Sequence, residues 1–279
     1  MSRSMTIAIS VKVNDGIVLC SDSALTLSNQ GNIIKVHNNA NKICNLFKGV
    51  PLGFMTWGSG AIGTASTATL AKDLRAKLMS SDPQWAVDPK SYSVKDIAEK
   101  ADRFFRGAHQ SEYGALPPPD QPFMGFVVCG YSTGASMPET WVDYLPTEPA
   151  PKIVQGLDDV GVAWWGEIEP ITRLMFGHGT RVVETLVQLG LSEPDANVAR
   201  QKMQIAMEVS FVQAPMPIQD AIDVSEFLAL VAAQWARFKE GHATVGGPVE
   251  IAAITKHEGF KWIKRKHYYS KSLNPETDQ

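Results

Sequence analysis

The sequence predicts an α+β fold, a four-layer αββα sandwich of two antiparallel sheets flanked by helices. The first observation is the order of the elements, since strands come first, followed by two helices, more strands, a long helical region and a final strand pair. The second is a clear strand pattern at the start of the chain. With 279 residues, 44% of them hydrophobic, the chain has the length and composition of one domain with insertions.

The first predicted hairpin runs from Thr6 to Ser23. Its first strand alternates apolar with polar or small residues, as a strand with one buried face does, the apolar ones being Ile7, Ile9, Val11 and Val13. A three-residue turn ending in a left-handed Gly16 would place Ala8 opposite Asp22. Asp22 would then share a face with Thr6, one diagonal step away. A hydroxyl and a carboxylate are therefore predicted to meet near the start of the chain.

The remaining elements follow from periodicity and from turn residues. A turn that enters a strand is predicted within 39–46, and further strands at 52–57, 123–131, 140–144, 160–165, 249–255 and 260–264. The helices are predicted at 61–79, from Ser93 to about 105, at 197–212 and at 218–238. We expect the three strands between 123 and 165 to build the second sheet. The last two strands should form an antiparallel pair around the turn at 257–259.

Several short motifs carry a family resemblance. A Thr followed by a strand, an Asp-Gly turn and a strand ending in Asp-Ser is found here as Thr6, Asp15-Gly16 and Asp22-Ser23. Lys42-Ile43 opens a later strand, Gly58 ends its return strand, and 246–259 holds a Gly-Gly pair, an apolar strand and a charged turn. In these motifs the chain resembles the proteasome β-subunit family of N-terminal nucleophile hydrolases, of the bacterial proteasome-related type.

The resemblance implies a threonine-type peptidase that hydrolyses amides through an acyl-enzyme on an N-terminal Thr. Thr6 would supply the nucleophile and, once it is N-terminal, the base, because its own α-amino group can accept the hydroxyl proton. Lys42 as ammonium would keep that amine neutral, and Asp22 would keep Lys42 charged and oriented. The N–H of Gly58 would stabilise the oxyanion.

The resemblance also implies the substrate and the assembly. Leu25, Ala40 and Thr56 would contact the substrate, which would be a peptide or an unfolded protein. The chain would act as a self-compartmentalised homo-oligomer, a ring or stacked rings, and an ATPase partner is not identified. We expect neither a metal nor a cofactor, because one residue supplies both nucleophile and base.

Four positions depart from the family pattern. A supporting Ser and an Asp-x-x-Ser of the family fall at about Glu167, His242 and Val245, and Met5 stands where the family has a self-cleavage Gly. Glu167 and His242 could form a pair that titrates between about pH 5 and 8. Because of these departures, a catalytically silent proteasome-like structural or assembly subunit stays open as the alternative function.

The domain organisation follows from the same motifs. Residues 1–5 are predicted to be a leader or an upstream start segment, and activity requires their removal. Residues 6–269 would form one N-terminal nucleophile hydrolase domain, with an extended helical region at about 168–240. Residues 270–279 would be a loose tail.

Composition points to the compartment. The net charge of −3 and a pI near 6.1 show no excess of positive charge that would attract nucleic acid or an anionic membrane. No apolar run reaches the length of a bilayer span, and three cysteines in strand-like surroundings fit reduced core thiols. We expect a cytoplasmic protein without membrane or nucleic-acid partners. Cys20 is the alternative nucleophile, although its predicted partner Ser10 places it deeper in the sheet than Thr6.

Overall fold

A computed structural model describes residues 6–29, 32–241 and 245–266. Within them the strands are β1 (Ile7–Val13), β2 (Gly16–Ser21), β3 (Leu25–Asn29), β4 (Asn32–His37), β5 (Ile43–Cys44), β6 (Leu52–Gly58), β7 (Ala61–Ile62), β8 (Ala65–Ser66), β9 (Met124–Gly130), β10 (Glu139–Leu145), β11 (Lys152–Gln155), β12 (Gly161–Gly166), β13 (Glu250–Thr255) and β14 (Gly259–Lys264). The helices are α1 (Thr67–Leu78), α2 (Val94–Tyr113), α3 (Glu169–Phe176), α4 (Val182–Gln188), α5 (Glu193–Met207) and α6 (Ile218–Phe238), with a short 3₁₀ turn at Pro118–Asp120.

The strands build two five-stranded antiparallel sheets. The first has the order β12-β1-β2-β13-β14 and the second β11-β10-β9-β6-β5, and β3-β4 and β7-β8 are separate two-stranded ribbons. The predicted α+β class with two antiparallel sheets is confirmed. β12 was expected in the second sheet, but it pairs with β1 at the edge of the first, which is a correction.

Three apolar cores separate four layers. One core packs the first sheet against α3 and α6, and a second packs the other sheet against α1 and α2. The third lies between the sheets, where the Trp57 and Trp165 rings stack with centroids 4.9 Å apart. The αββα sandwich is therefore confirmed, since helices cover the outer face of each sheet.

Strand β1 is buried on both faces rather than on one, so the expectation of a single buried face is wrong. Its apolar residues face the helices, and its small and polar ones face the second sheet. The polar side chains there are satisfied: the Ser10 hydroxyl donates to Gln155 Oε1 at 3.0 Å, and the Lys12 ammonium donates to the carbonyls of Gly156 and Leu157. Hydrogen bonding makes such burial tolerable.

The turn of the first hairpin has two residues, not three, so the predicted register is wrong by one position. Val13 lies opposite Gly16, and Ala8 lies opposite Ser21 rather than Asp22. Gly16 has a φ of 159°, far from the left-handed helical region, and is needed for another reason. A Cβ there would lie 2.5 Å from the carbonyl oxygen of Ile254 on the neighbouring strand β13.

The one-position difference in the hairpin register also changes the position predicted for Cys20. It lies opposite Ile9 rather than Ser10, and it packs into the core under α6 beside Ser225. Burial raises the pKa of this thiol, because the thiolate is the charged form. Cys20 is therefore a core residue and not a competing nucleophile.

Two predicted helix boundaries were wrong. Residues 61–66 form the β7-β8 ribbon, and α1 begins only at Thr67, where the Ser66 hydroxyl accepts from the Thr69 N–H at 3.1 Å. Helix α5 begins at Glu193, since Pro194 occupies its first turn, where no N–H is required. The predicted start of α2 is confirmed, with Ser93 as its N-cap. The hairpin β3-β4 and strand β11 were not predicted.

The final strand pair, β13 and β14, is confirmed around the turn before Gly259. The expectations for residues 1–5 and for the tail beyond 266 lie outside the described residues. No helix in the part of the chain that the structure describes is long and apolar enough to cross a bilayer.

Candidate active site

The side chains of Thr6, Asp22 and Lys42, all predicted site residues, meet next to the termini of β1, β2 and β5. Thr6 precedes β1, Asp22 follows β2 and Lys42 precedes β5. The Thr6 hydroxyl donates to Asp22 Oδ1 at 2.8 Å, and the Lys42 ammonium donates to the same oxygen at 2.6 Å. Their exposed fractions are 1%, 1% and 8%. A hydroxyl and an ammonium group thus donate to the same carboxylate oxygen, in a site that is almost completely shielded from solvent.

Asp22 is held by the backbone as well. The N–H of Ile7 donates to its Oδ1 at 3.1 Å, and the N–H groups of Ala24 and Gly246 donate to its Oδ2 at 3.1 and 3.0 Å. Such a set of donors compensates the burial of a carboxylate and fixes its direction. Because Asp22 lies one residue beyond β2, its side chain is free of the strand alternation. This explains why it reaches Thr6 although the predicted register was wrong.

Two effects act on Lys42. Burial lowers the pKa of the Lys42 ammonium from its ordinary value, because the charged form loses hydration, while Asp22 acts in the opposite direction. We infer an ion pair here, since neutralising Lys42 would leave the Asp22 carboxylate buried without its cation.

The backbone of Thr6 is fixed by the end of β12. Its carbonyl accepts from the Glu167 N–H at 2.7 Å. Gly166 has a φ of +95°, and a Cβ there would lie 2.0 Å from the Thr6 carbonyl oxygen. Only glycine allows this approach without strain. Glu167 therefore contacts Thr6 through its backbone.

The other predicted supporting groups are placed differently. The Glu167 carboxylate accepts from Lys239 Nζ at 3.3 Å, so its side chain is engaged with the end of α6. His242 lies outside the described residues, and the proposed Glu167–His242 pair stays a prediction. Val245 is 2% exposed and belongs to the core under α6.

Gly58 ends β6 opposite Met124. Its φ is +83°, and a Cβ would lie 2.6 Å from the carbonyl oxygen of Phe123, so both backbone and space require glycine. Two residues earlier, the Thr56 N–H donates to the Lys42 carbonyl at 3.0 Å. The end of β6 is thereby tied to the segment that carries Lys42.

The predicted substrate contacts surround this segment. The Ala40 N–H donates to the carbonyl of Ser23, next to Asp22, at 3.0 Å, and Thr56 is buried. Leu25 packs against Gly60, where a Cβ would lie 1.9 Å from Leu25 Cδ1. Their role in binding stays a prediction.

A second buried ion pair, which was not predicted from the sequence, lies beside the first. Glu250 and Lys266 are 1% and 6% exposed, and Lys266 Nζ lies 3.7 Å from Glu250 Oε2. Burial raises the pKa of Glu250 and lowers that of Lys266. Glu250 lies opposite Ser21 on β2, one residue before Asp22. An acidic residue at the start of an otherwise apolar strand was the available signal.

Among residues 6–29, 32–241 and 245–266, no three His, Cys, Asp or Glu side chains are placed to hold a metal ion.

Comparison with known proteins gives structural neighbours only. No family model and no curated protein matches the sequence. Anbu from Pseudomonas aeruginosa, solved as a helical assembly of the Anbu complex, superimposes with a TM-score of 0.55 at 13% identity over 96% of this chain and 90% of that chain. Anbu from Hyphomicrobium sp. strain MC1 gives 0.52 at 12% identity over 94% and 88%. A Gly-1 mutant of that protein gives 0.52 at 14% identity over 96% and 91%.

These neighbours correct the family assignment. The motifs resemble those of proteasome β subunits of the bacterial type, but the three structures named above are Anbu chains, and no family model supports the assignment. A match of a few motif residues carries a risk of false positives, so the motifs overstated the relationship. What the likeness shows is the fold, an αββα sandwich shared with the Anbu structures.

Proposed function

We propose that this chain is an N-terminal threonine hydrolase that cleaves peptide amides once Thr6 is the first residue. The observation that carries the proposal is the shared oxygen of Asp22, which accepts from both the Thr6 hydroxyl and the Lys42 ammonium. A core built only for stability rarely buries a hydroxyl, a carboxylate and an ammonium together, because each charge loses hydration. Clusters of this kind are typical of catalytic sites.

The proposed first step is attack by Thr6 Oγ1 on the carbonyl carbon of the scissile amide. The hydroxyl proton passes to the α-amino group of Thr6, which in reference peptides titrates near pH 7.7 to 8.0 and is partly neutral at working pH. Lys42 opposes protonation of that amine and stabilises the developing alkoxide, while Asp22 holds Lys42 and the hydroxyl in place.

The later steps complete hydrolysis. The N–H of Gly58, at the end of β6, is proposed to donate to the oxyanion of the tetrahedral intermediate. Collapse of that intermediate releases the amine fragment with the proton taken from Thr6 and leaves an ester on Oγ1. Water then attacks the ester, and the free acid and the Thr6 hydroxyl are regenerated.

We further propose that residues 6–269 act as one domain within a homo-oligomer. Support for assembly comes from the Pseudomonas aeruginosa neighbour, which was solved as a helical assembly. Peptides or unfolded proteins would be the substrates, with Leu25, Ala40 and Thr56 near the bound chain.

A catalytically silent assembly protein is the second candidate. Two observations favour it: Met5 precedes Thr6 where a self-cleavage Gly was expected, and the Glu167 carboxylate is engaged by Lys239 rather than by Thr6. The first candidate explains more, because a silent protein has no need for the buried Thr6–Asp22–Lys42 cluster.

The two candidates are separated by comparing two forms of the protein. One begins at Thr6 after removal of a cleavable fusion partner, and the other retains residues 1–5. We expect only the first to release aminomethylcoumarin from blocked peptide substrates, because a peptide bond at Thr6 removes the free amine that serves as base. Equal inactivity of both forms in a correctly assembled sample would favour the silent protein.

A further inference from the structure

A cavity of 390 Å³ opens beside Lys42, between β5, β6, β13, β14 and α1. Thr56 and Lys42 line it, and Ala68 and Ala71 of α1 leave space because their side chains are short. Lys42 is bonded to the carboxylate that also accepts from the Thr6 hydroxyl. The cavity therefore begins one carboxylate away from the proposed nucleophile.

The lining is strongly cationic. Besides Lys42 it includes Lys48, Lys72, Arg75 and Arg265. Lys72 and Arg75 are three residues apart on α1 and so lie on the same face of that helix.

Both arginines are held at the cavity by local contacts. Arg75 Nη1 donates to the Asn45 carbonyl at 3.4 Å, and the Arg265 guanidinium lies 4.9 Å from the Trp262 ring centroid. Positioned guanidinium groups suit carboxylate recognition, because their planar donors match both oxygens.

The pKa of Cys44, which lines the cavity, indicates the electrostatic potential there. Burial raises the pKa of its thiol, but Arg75, Lys72 and Arg265 all act in the opposite direction. Three cations from two separate segments therefore act on one point of the wall. An anion placed there would be stabilised by the same cations.

Glu250 is the one carboxylate among the described residues that line the cavity. Its Oε2 atom is buried without a hydrogen-bond partner, and Lys266 Nζ lies 3.7 Å from it. The lining holds five cations against this single carboxylate, and one of them, Lys42, is already paired with Asp22. Repulsion from them and the nearby Lys266 outweigh one carboxylate, so the cavity favours an acidic group over a basic one.

We propose that this cavity is a specificity pocket that receives an acidic side chain of the peptide, recognised by Lys72 and Arg75 of α1 together with Arg265. The inference rests on the proposed function, because the pocket would hold a residue next to the bond that Thr6 attacks. The substrate class is thus narrowed to peptides with Asp or Glu at that position.

The test measures binding and needs no cleavage. Acetylated tripeptide amides that differ only in a last residue of Glu, Gln or Lys are titrated into the full-length Thr6→Ala protein by calorimetry at low salt. We expect the Glu peptide to bind about tenfold more tightly than the Gln peptide, as one well-placed charge pair allows. The Lys peptide should bind most weakly.

Matched variants locate the effect. The double substitution Lys72→Gln and Arg75→Gln should reduce the preference for Glu to about threefold or less. Lys77→Gln removes a charge from the same helix at a position outside the cavity lining and should leave the preference unchanged. Adding salt should weaken the Glu peptide more than the Gln peptide, which tests the charge effect without any substitution.

The outcomes separate this inference from the proposed function. Equal binding of the Glu and Gln peptides, tighter binding of the Lys peptide, or no binding of any peptide would overturn the acidic pocket. Failure of the Thr6-first protein to cleave any peptide would overturn the hydrolase proposal while the binding preference could still be measured.

Discussion

At the scale of single residues, the site depends on one carboxylate that organises two other groups. Asp22 accepts five hydrogen bonds, from the Thr6 hydroxyl, the Lys42 ammonium and three backbone N–H groups. Those donors come from segments far apart in the sequence, including Gly246. Proximity in the fold, rather than in the chain, therefore creates the arrangement.

We predict that Thr6→Ala abolishes amide hydrolysis by the Thr6-first protein, because the covalent route loses its nucleophile. Lys42→Ala should lower kcat/KM by about 10²- to 10⁴-fold, since removing a charge that tunes the site leaves a residual rate. Circular dichroism and hydrolysis of blocked peptides measure fold and rate on the same samples. Equal activity of the wild type and both variants would mean that the activity comes from another site or from a contaminant.

At the scale of elements, the last residue of β6 combines an unusual backbone conformation with a proposed role in catalysis. Gly58 combines a φ of +83° with a close approach to the Phe123 carbonyl. No other residue type satisfies both conditions. The proposed oxyanion donor thus depends on this position being glycine.

Gly58→Ala should destabilise the protein by about 2–4 kcal/mol, from left-handed strain and from displacement of β9. Gly107→Ala is the control, because that glycine is in α2, has nothing within 4 Å of an added Cβ and should gain up to about 1 kcal/mol. Urea unfolding of both variants gives the two free energies. A Gly58→Ala protein as stable as the wild type would remove the argument for a required glycine.

Strand β10 and helix α2 meet at a buried acid. Asp143 is fully buried, and its pKa is raised to about 7, first by burial and then by the nearby Asp102, while Arg106 at 3.3 Å opposes the rise. A raised pKa means that the native state keeps a proton which the unfolded chain has released above about pH 4. Stability from this group is therefore present at low pH and falls as pH rises from about 4 to 7.

Asp143→Asn should remove this fall, because the amide stays neutral at every pH. We expect the variant to gain about 1–3 kcal/mol relative to the wild type between pH 5 and pH 8. Asp73→Asn, on the exposed face of α1, is the control and should leave the pH dependence unchanged. Urea unfolding at several pH values measures both slopes, and parallel slopes for Asp143→Asn and the wild type would contradict the raised pKa.

At the scale of the whole molecule, the layer order could be read from the sequence because periodicity and turn residues are local signals. The final strand pair and the N-cap of α2 are examples. The partner of β12 could not be predicted, since strand pairing depends on long-range packing. The hairpin register failed because Gly16 serves a close contact with β13 rather than a left-handed turn.

In the candidate site, too, local features could be predicted from the sequence and long-range contacts could not. The spacing of Thr6, Asp22 and Lys42 was visible as a motif, and the structure places the three side chains together. The Glu250–Lys266 pair was not visible, because its members lie on β13 and beyond β14 and meet only through the sheet. The family assignment failed for the opposite reason, since a few motif residues do not determine the relationship of a whole chain.

Processing is a property of the whole chain. We predict that protein made in its natural host begins at Thr6, through a start at Met5 and excision of that Met, or through another removal of residues 1–5. Intact mass spectrometry of the purified host protein measures this. An active host-made protein that retains Met1 would contradict the requirement for a free Thr6 amine.

In the proposed mechanism, the hydroxyl and the α-amine of Thr6 react together. A peptide epoxyketone tests both, because the hydroxyl adds to the ketone and the amine opens the epoxide, closing a ring that retains the whole inhibitor. We predict that the Thr6-first protein gains the mass of one inhibitor, mapped to Thr6 by peptide sequencing, and that Thr6→Ala gains none. An unmodified Thr6 after prolonged incubation, or equal labelling of the Thr6→Ala protein, would contradict it.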